Sequence, residues 1–372
     1  MIVRGAKVFD EKKGFIERDV FIDGALFADD AGGETVDGGN CYAIPGLIDV
    51  HLHGCVGREF SDADAAGIDA MTEYQASQGV TAICPTTLTD SEEALAKACG
   101  EIARVSSERG AAIVGVNLEG PFVSPHKLGA QNPAFVQVPD ASLFRRLQKA
   151  ARGLVKLLAI APELPGAMQV IAEVADEVVC SIAHTTADYA LATEAFERGA
   201  RHVTHLYNAM PPFAHREPGV VGAAFDQPGC RVELICDDVH IHPSVVRATF
   251  KMFGDERIVM ISDSMMATGL ADGEYRLGRL PVRVRGKKAT LIEGGNIAGS
   301  VTNLMKCLQT AVGVMGIPLH SAVKCAAVNP ARAIGVYDER GSVEAGKSAD
   351  LVLLDANLRV KKIIIRGKVL LS

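Results

Sequence analysis

Between about residue 46 and residue 264 the chain alternates apolar runs of strand length with stretches of helical spacing. The runs are GLIDVHLHG, VTAICPTT, AAIVGVNLEG, VKLLAIAPE, EVVCSIAHT, HVTHLYNA, RVELICDDVH and RIVMISDS. Near-continuous apolar strands separated by helices mark a parallel sheet buried on both faces. Eight such units predict a closed TIM-type (β/α)8 barrel, hence an α/β protein. Upstream, residues 1–45 read as short strands and turns. Downstream, GSVEAGKSADLVLLDANLRVKKIIIRGKVLL alternates like antiparallel strands, which need partners. The two ends are expected to pair in a small β-sandwich domain of residues 1–45 and 338–372, flanking a barrel of residues 46–337. Between Ser264 and the predicted helix SVTNLMKCLQTAVGVM the pattern reads as a Gly-rich loop. AVKCAAVNPARAIGV reads as a further helix.

The length of 372 residues suits a barrel of about 250 residues plus a smaller domain. With 48% hydrophobic and 22% charged residues the chain is expected to be globular. A net charge of −7 gives no ground for a nucleic-acid groove. No apolar run is long enough to cross a bilayer, so neither nucleic acid nor membrane is an expected partner. The N-terminal MIVRGAKVFD lacks the apolar core of a signal peptide. The nine cysteines include no C-x-x-C pair and read as reduced, packed thiols of a cytoplasmic protein. Cys55, beside two histidines, could act as ligand or nucleophile, but packing is the favoured reading.

The candidate chemistry lies where the apolar runs stop. The runs end in polar residues: His51 and His53, Thr86 and Thr87, Glu119, Glu163, His184, His205, Asp237 to His240, and Asp263. Residues two apart in a strand share a face, so His51 and His53 project to one side. Barrel active sites occupy the rim at the C-terminal ends of the strands. Approach to solvent alone explains the threonines and Glu163. It explains poorly a rim that gathers His51, His53, Glu119, His184, His205 and Asp263, whose side chains suit a divalent metal ion.

PGLIDVHLHG, NLEGPF, AHTTA, THLYNAM, REPG, the Asp of ISDS, NIAGS and GSVEAGKSADLVLLD together resemble the amidohydrolase superfamily. Within it, LEGPF, HLYNAM with REPG, and IAGS resemble the N-acetylglucosamine-6-phosphate deacetylases. The resemblance runs in order over nearly the whole chain. It implies that Glu119, His184 and His205 hold the main metal ion and that Asp263 is the catalytic carboxylate. It places His51 and His53 at a second metal position, bridged through Glu119, which some members lack. The fourth strand ends in APE, with no lysine to bridge two ions as a carbamate. The implied ion is zinc first, with iron, manganese or cobalt as alternatives, one or two per subunit.

Elementary chemistry agrees with the resemblance. An amide is a poor electrophile and water a poor nucleophile at neutral pH. A divalent ion addresses both, and a carboxylate must move the proton from water to the leaving amine. Asp263 is the candidate; a metal ligand or a helix cap is its other reading. The resemblance also assigns a small-molecule partner, a phosphorylated amino sugar. Asn208 and Ala209 would face its phosphate through backbone amides, Arg216 and His240 would contact the substrate, and such groups reach across a homodimer interface. Ala130 and Gln131, with Ile297, Ala298 and Gly299, match loops that close over the sugar.

Two departures bear on that reading. Some relatives carry His at the position of Gln131, where it can polarise the amide carbonyl. Relatives usually have Gly at the position of Asp238. These leave N-acetylgalactosamine 6-phosphate as the nearest alternative substrate. Another amidohydrolase activity on amides is the next alternative. A barrel scaffold without enzymatic function is the last, and the full set of ligand-type residues argues against it.

Overall fold

The computed structural model describes residues 1–371. Eight parallel strands form the barrel: β1 Leu47–Leu52, β2 Val80–Thr87, β3 Val116–Phe122, β4 Val155–Ile160, β5 Val179–Ile182, β6 His202–Val203, β7 Arg231–Ile235 and β8 Ile258–Ile261. Each pairs with the next in chain order. Closure comes from backbone bonds beyond the end of β8. Asp263 N–H donates to His51 C=O at 2.9 Å, and His53 N–H donates to Ser264 C=O at 2.8 Å. The rim residues lie at or just beyond the strand ends: His51, Thr86, Thr87 and Glu119 inside β1, β2 and β3, and His184, His205 and Asp263 just past β5, β6 and β8.

The helices between strands start where the sequence supplies a cap. Asp64, Ser91, Asp140 and Asp188 each accept a backbone N–H of the first turn with a side-chain oxygen. The late helix predicted over SVTNLMKCLQTAVGVM runs over Leu304–Gly313, because Asn303 caps it by accepting Lys306 N–H. AVKCAAVNPARAIGV contributes a π-helical turn, Lys324–Val328, followed by the short helix Asn329–Ala333. Ala331, Ala333 and Ile334 then join Ile48, Val50, Val259 and Ile261 in one apolar cluster. Among the described residues no helix is long and apolar enough to cross a membrane.

Both chain ends build one mixed, largely antiparallel sheet, as the alternating patterns predict. Its strands run in the order Lys368–Leu371, Val360–Ile365, Leu351–Leu354, Tyr42–Pro45, Ile2–Asp10, Gly14–Asp23 and Leu26–Ala28. Leu351–Leu354 pairs antiparallel with Tyr42–Pro45, which joins the C-terminal strands to the N-terminal ones. The sheet has its own apolar cluster, including Val8, Val20, Ile22, Leu351, Leu353 and Ile364. Glu11 ties it to the barrel: its carboxylate pairs with Arg332 at 2.6 and 2.9 Å and accepts the Tyr337 hydroxyl at 3.0 Å.

The segment after Ser264 differs from the Gly-rich loop expected. It holds a three-stranded antiparallel sheet, Gly273–Leu277, Leu280–Arg285 and Lys288–Leu291. Each hairpin has a two-residue connection opened by a glycine, Gly278 or Gly286, with φ of 57°. Glycine there supplies the left-handed conformation that tight hairpins require. Leu277, Val282, Val284 and Ala289 pack on Leu88, Met265, Met266 and Ala298, so the sheet roofs the rim of the barrel. Arg276 anchors it through Glu59 and Asp62.

Candidate active site

The strand ends bring the six predicted rim residues into one cluster. His184, His205 and Asp263 all take positive φ, 42°, 27° and 51°. Left-handed backbone at a residue with a Cβ costs on the order of 1–3 kcal/mol and persists only where its surroundings enforce it. Here the enforcement is hydrogen bonding. Ser124 N–H donates to His184 C=O at 2.8 Å, Glu233 accepts His205 N–H at 3.0 Å, and Ser300 N–H donates to Asp263 C=O at 2.7 Å. The last bond brings the NIAGS loop against Asp263. A Cβ on Gly299 would sit 3.0 Å from the Asp263 carbonyl oxygen.

Two ligand groups meet at Glu119. Glu119, His184 and His205 form one, and His51, His53 and Asp263 form the other, all buried. Glu119 Oε1 lies 3.0 Å from His184 Nε2, 2.9 Å from His205 Nε2 and 3.4 Å from His51 Nε2. Glu119 Oε2 lies 3.2 Å from His53 Nε2. Asp263 Oδ1 is 3.3 Å from His53 Nε2 and 3.7 Å from His51 Nε2. Glu119 therefore presents one oxygen mainly to the first group and the other to His53.

Behind the cluster sit residues that the sequence reading passed over. Glu233, fully buried in β7, accepts from His51 Nδ1–H at 2.9 Å. His184 Nδ1–H donates to the Lys127 carbonyl at 2.9 Å. Asp49 is fully buried and accepts the Ser262 hydroxyl at 2.5 Å. A carboxylate inside an otherwise apolar strand, as in RVELI and GLIDV, was the available signal. A charge there needs a partner.

The charges hold one another in place. Burial would raise the Glu119 carboxyl, but the charge of His51 and hydrogen bonds from His184 and His205 hold it well below the usual range. Burial likewise opposes ionisation of Asp263, and the hydrogen bond from His53 with the charges of His51 and His53 brings it below its ordinary value. Burial disfavours the charged His53 imidazole, yet hydrogen bonds to Asp263 and Glu119 lift it to about 9. Asp49, by contrast, is pushed up to about 7 by burial, against the Ser262 hydrogen bond.

A cavity of about 640 Å³ opens above the cluster. Ala130, Gln131, Asn208, Ala209, His240, Ile297 and Gly299 line it, with Leu277, Leu280 and Leu291 of the roof sheet. Ala298 faces away, fully buried under the roof. Gln131 does not point its amide freely into the cavity: Nε2 donates to Glu119 Oε2 at 2.6 Å and Oε1 accepts Thr89 N–H at 2.7 Å. Asn208 N–H donates to His205 C=O at 2.9 Å, so that amide closes a turn and is not turned toward an anion. Arg216 is exposed and lines a different surface depression, with Tyr189, Pro211 and Pro218, outside the cavity of its own chain.

His240 is aimed by Asp237, whose Oδ2 accepts from His240 Nδ1–H at 2.8 Å. The Asp237 Oδ1 also accepts the backbone N–H of Val239 and of His240. Asp238 takes φ of 66°, a conformation open to glycine and tolerated by aspartate. Asp238 thus meets a backbone demand that glycine would also meet.

The donor set fits a divalent cation. His184 Nε2 and His205 Nε2 face each other at 3.1 Å, both beside the same carboxylate oxygen. His51 Nε2 is buried with no hydrogen-bond partner. Imidazole nitrogens and carboxylate oxygens converging in this way are the ligands zinc and neighbouring transition metals take.

Comparison with known proteins agrees with this architecture. Residues 42–370 match the amidohydrolase family. An N-acetylglucosamine-6-phosphate deacetylase of Bacillus subtilis is 38% identical over 332 residues, covering 88% of this chain and 84% of that protein. A mutant N-acetyl-D-glucosamine-6-phosphate deacetylase of Mycobacterium smegmatis, solved in complex with N-acetyl-D-glucosamine-6-phosphate, superposes with a TM-score of 0.94. It is 32% identical, and the match covers 100% of this chain and 99% of that one. The structure of N-acetylglucosamine-6-phosphate deacetylase from Thermotoga maritima gives a TM-score of 0.89 at 28% identity, over 100% of both chains.

Proposed function

The chain belongs to the amidohydrolase family, and we propose that it hydrolyses the acetamide of N-acetyl-D-glucosamine 6-phosphate to glucosamine 6-phosphate and acetate. The observation that carries this reading is the pair of ligand groups joined at Glu119 on the floor of one cavity. Glu119, His184 and His205 would hold one divalent ion, and His51, His53 and Asp263 a second. Zinc is the first choice for this donor set, with iron, manganese or cobalt next. Bound there, such an ion supplies Lewis acidity, polarising a carbonyl and making water more acidic.

The protein's own residues do the rest. Asp263, ionised beside His53, accepts the proton of the attacking water on a side-chain oxygen. As the C–N bond breaks it returns that proton to the departing amine nitrogen, so the carboxylate is regenerated. The roof leucines Leu277, Leu280 and Leu291 give the cavity an apolar wall opposite the cluster, which reduces its contact with bulk water. His240, held by Asp237, offers Nε2 to the sugar or its phosphate.

Arg216 lies outside its own cavity, so its part in phosphate binding requires a second copy of the chain. A homodimer in which Arg216 enters the partner's cavity supplies that contact. Nine free cysteines support a place in a reducing compartment such as the cytoplasm.

The test is acetate release from N-acetylglucosamine 6-phosphate, N-acetylgalactosamine 6-phosphate and the two unphosphorylated sugars, with metal content measured on the same samples. Preference for the phosphorylated gluco sugar, lost on chelation, is expected. Turnover of unphosphorylated amides alone, or full activity without metal, would refute the reading.

A further inference from the structure

Glu233 is the fully buried carboxylate of β7, and it touches both halves of the cluster at once. Its Oε2 accepts from His51 Nδ1–H at 2.9 Å and from the backbone N–H of His205 at 3.0 Å. Its Oε1 has no hydrogen-bond partner; the nearest cationic candidate, His202 Nδ1, is 4.0 Å away and is itself engaged by the Ser181 hydroxyl at 2.9 Å. A buried carboxylate with so few partners is a poor stabilising device, since two-point acceptance offsets desolvation only in part. Its position suits another task. A proton fixed on His51 Nδ1 leaves the Nε2 lone pair directed at Glu119 and Asp263.

We propose that Glu233 is the positioning residue of the His51 cation position. By accepting from His51 Nδ1–H and His205 N–H together, it selects the ligating tautomer of His51 and sets the spacing between the two ligand groups. The inference rests on the metal-dependent reading above. It adds that a residue reaching neither substrate nor cation decides whether the second ion is held. His205 stands at φ of 27°, so the Glu233 acceptor also secures a backbone that would otherwise relax.

The experiment titrates Zn²⁺ or Co²⁺ into chelated protein by calorimetry, recording stoichiometry, and follows Co²⁺ absorption as a report on ligand geometry. Wild type, Glu233→Leu, Glu233→Gln, His51→Ala and His51→Ala/Glu233→Leu are compared, with circular dichroism confirming the fold of each. Wild type is expected to take two equivalents. Glu233→Leu should weaken one equivalent by roughly 10- to 100-fold, the range seen when a partner of a metal-bound histidine is removed. The equivalent held by Glu119, His184 and His205 should remain. Glu233→Gln, which keeps an acceptor oxygen, should recover part of the loss. At the His51 position the double variant should lose no more affinity than His51→Ala, because Glu233 acts on that position through His51.

Two equivalents in Glu233→Leu at wild-type affinity would overturn the proposal, as would additive losses in the double variant. A single wild-type equivalent indifferent to His51→Ala would overturn it too. No cation binding by wild type would instead remove the metal-dependent reading itself. Should Glu233→Leu fail to fold, Glu233→Gln decides alone: unchanged affinity for both equivalents, with an unchanged Co²⁺ spectrum, would overturn the proposal.

Discussion

Gln131 donates to Glu119 Oε2 at 2.6 Å and accepts from Thr89 N–H at 2.7 Å, so its side chain joins the loop after β2 to the carboxylate shared by both ligand groups. With its amide taken up in this way, Gln131 is better placed to orient Glu119 than to polarise a substrate carbonyl. Removing it should loosen the carboxylate and leave the fold intact. Gln131→Ala is expected to weaken cation binding about tenfold, as loss of a hydrogen bond to a ligating group does. Zn²⁺ titration of chelated variant and wild type would check this; equal affinities would count against the orienting role.

Asp263→Asn removes the proton acceptor and keeps the shape. The Ser300 and His51 backbone bonds that seat residue 263 do not involve its side chain, so the variant should fold. A general acid–base group contributes typically about 10²–10⁴-fold, and kcat should fall by that much or more. KM should change far less. Measured kcat within a few-fold of wild type would move the proton transfer to another group.

The chain announces its barrel plainly and its active-site rim almost as plainly. Strand-length apolar runs ending in His, Glu or Asp carry both signals, because parallel strands buried on both faces must be apolar until they reach the rim. The roof sheet over 273–291 was not legible as such. Its strands carry RLGRLPVRVRGKK, where exposed arginines and lysines break the apolar alternation, and its turns show only as glycines. Glu233 was missed for the opposite reason. It lies mid-strand, and nothing in RVELI reveals that His51, some 180 residues earlier, lies against it. Arg216 is recognisable in HREPG, yet its distance from the cavity depends on packing that no local pattern encodes.

The Glu11–Arg332 contact gives a pH-dependent prediction for stability. Burial would raise the Glu11 carboxyl, but the hydrogen bonds from Arg332 and Tyr337 outweigh it and leave it below its ordinary value of 4.5. A carboxyl lowered in the folded state adds stability above its unfolded value, and that stability is lost as pH falls through the folded one. Both partners keep some solvent contact, so about 1 kcal/mol is the scale to expect. Glu11→Gln should therefore melt below wild type at neutral pH, and the two curves should converge below pH 4.5. A constant gap across that range would mean that shape, and not charge, holds the sheet to the barrel.

Arg216 supplies the sharpest test of how the substrate is held. It is exposed and outside its own cavity, whereas Asp263 lies at the floor of that cavity. If a second copy provides the phosphate contact, each complete site takes Asp263 from one chain and Arg216 from the other. A guanidinium–phosphate contact is worth on the order of 1.5–3 kcal/mol, and 1.4 kcal/mol is a factor of ten. Arg216→Ala should thus lower kcat/KM on the 6-phosphorylated sugar by roughly ten- to a hundredfold, and leave the unphosphorylated sugar nearly unaffected. Arg216→Lys should recover only part, since lysine carries the charge without the fork. Mixing Arg216→Ala with Asp263→Asn chains adds a geometric arm. After subunit exchange, half of the sites in a mixed dimer would combine intact Asp263 with intact Arg216, and activity should rise above that of either variant alone. Equal losses on both sugars would make Arg216 a structural residue. A phosphate-specific loss without recovery on mixing would place Arg216 over its own cavity after a local rearrangement, and the shared site would be rejected.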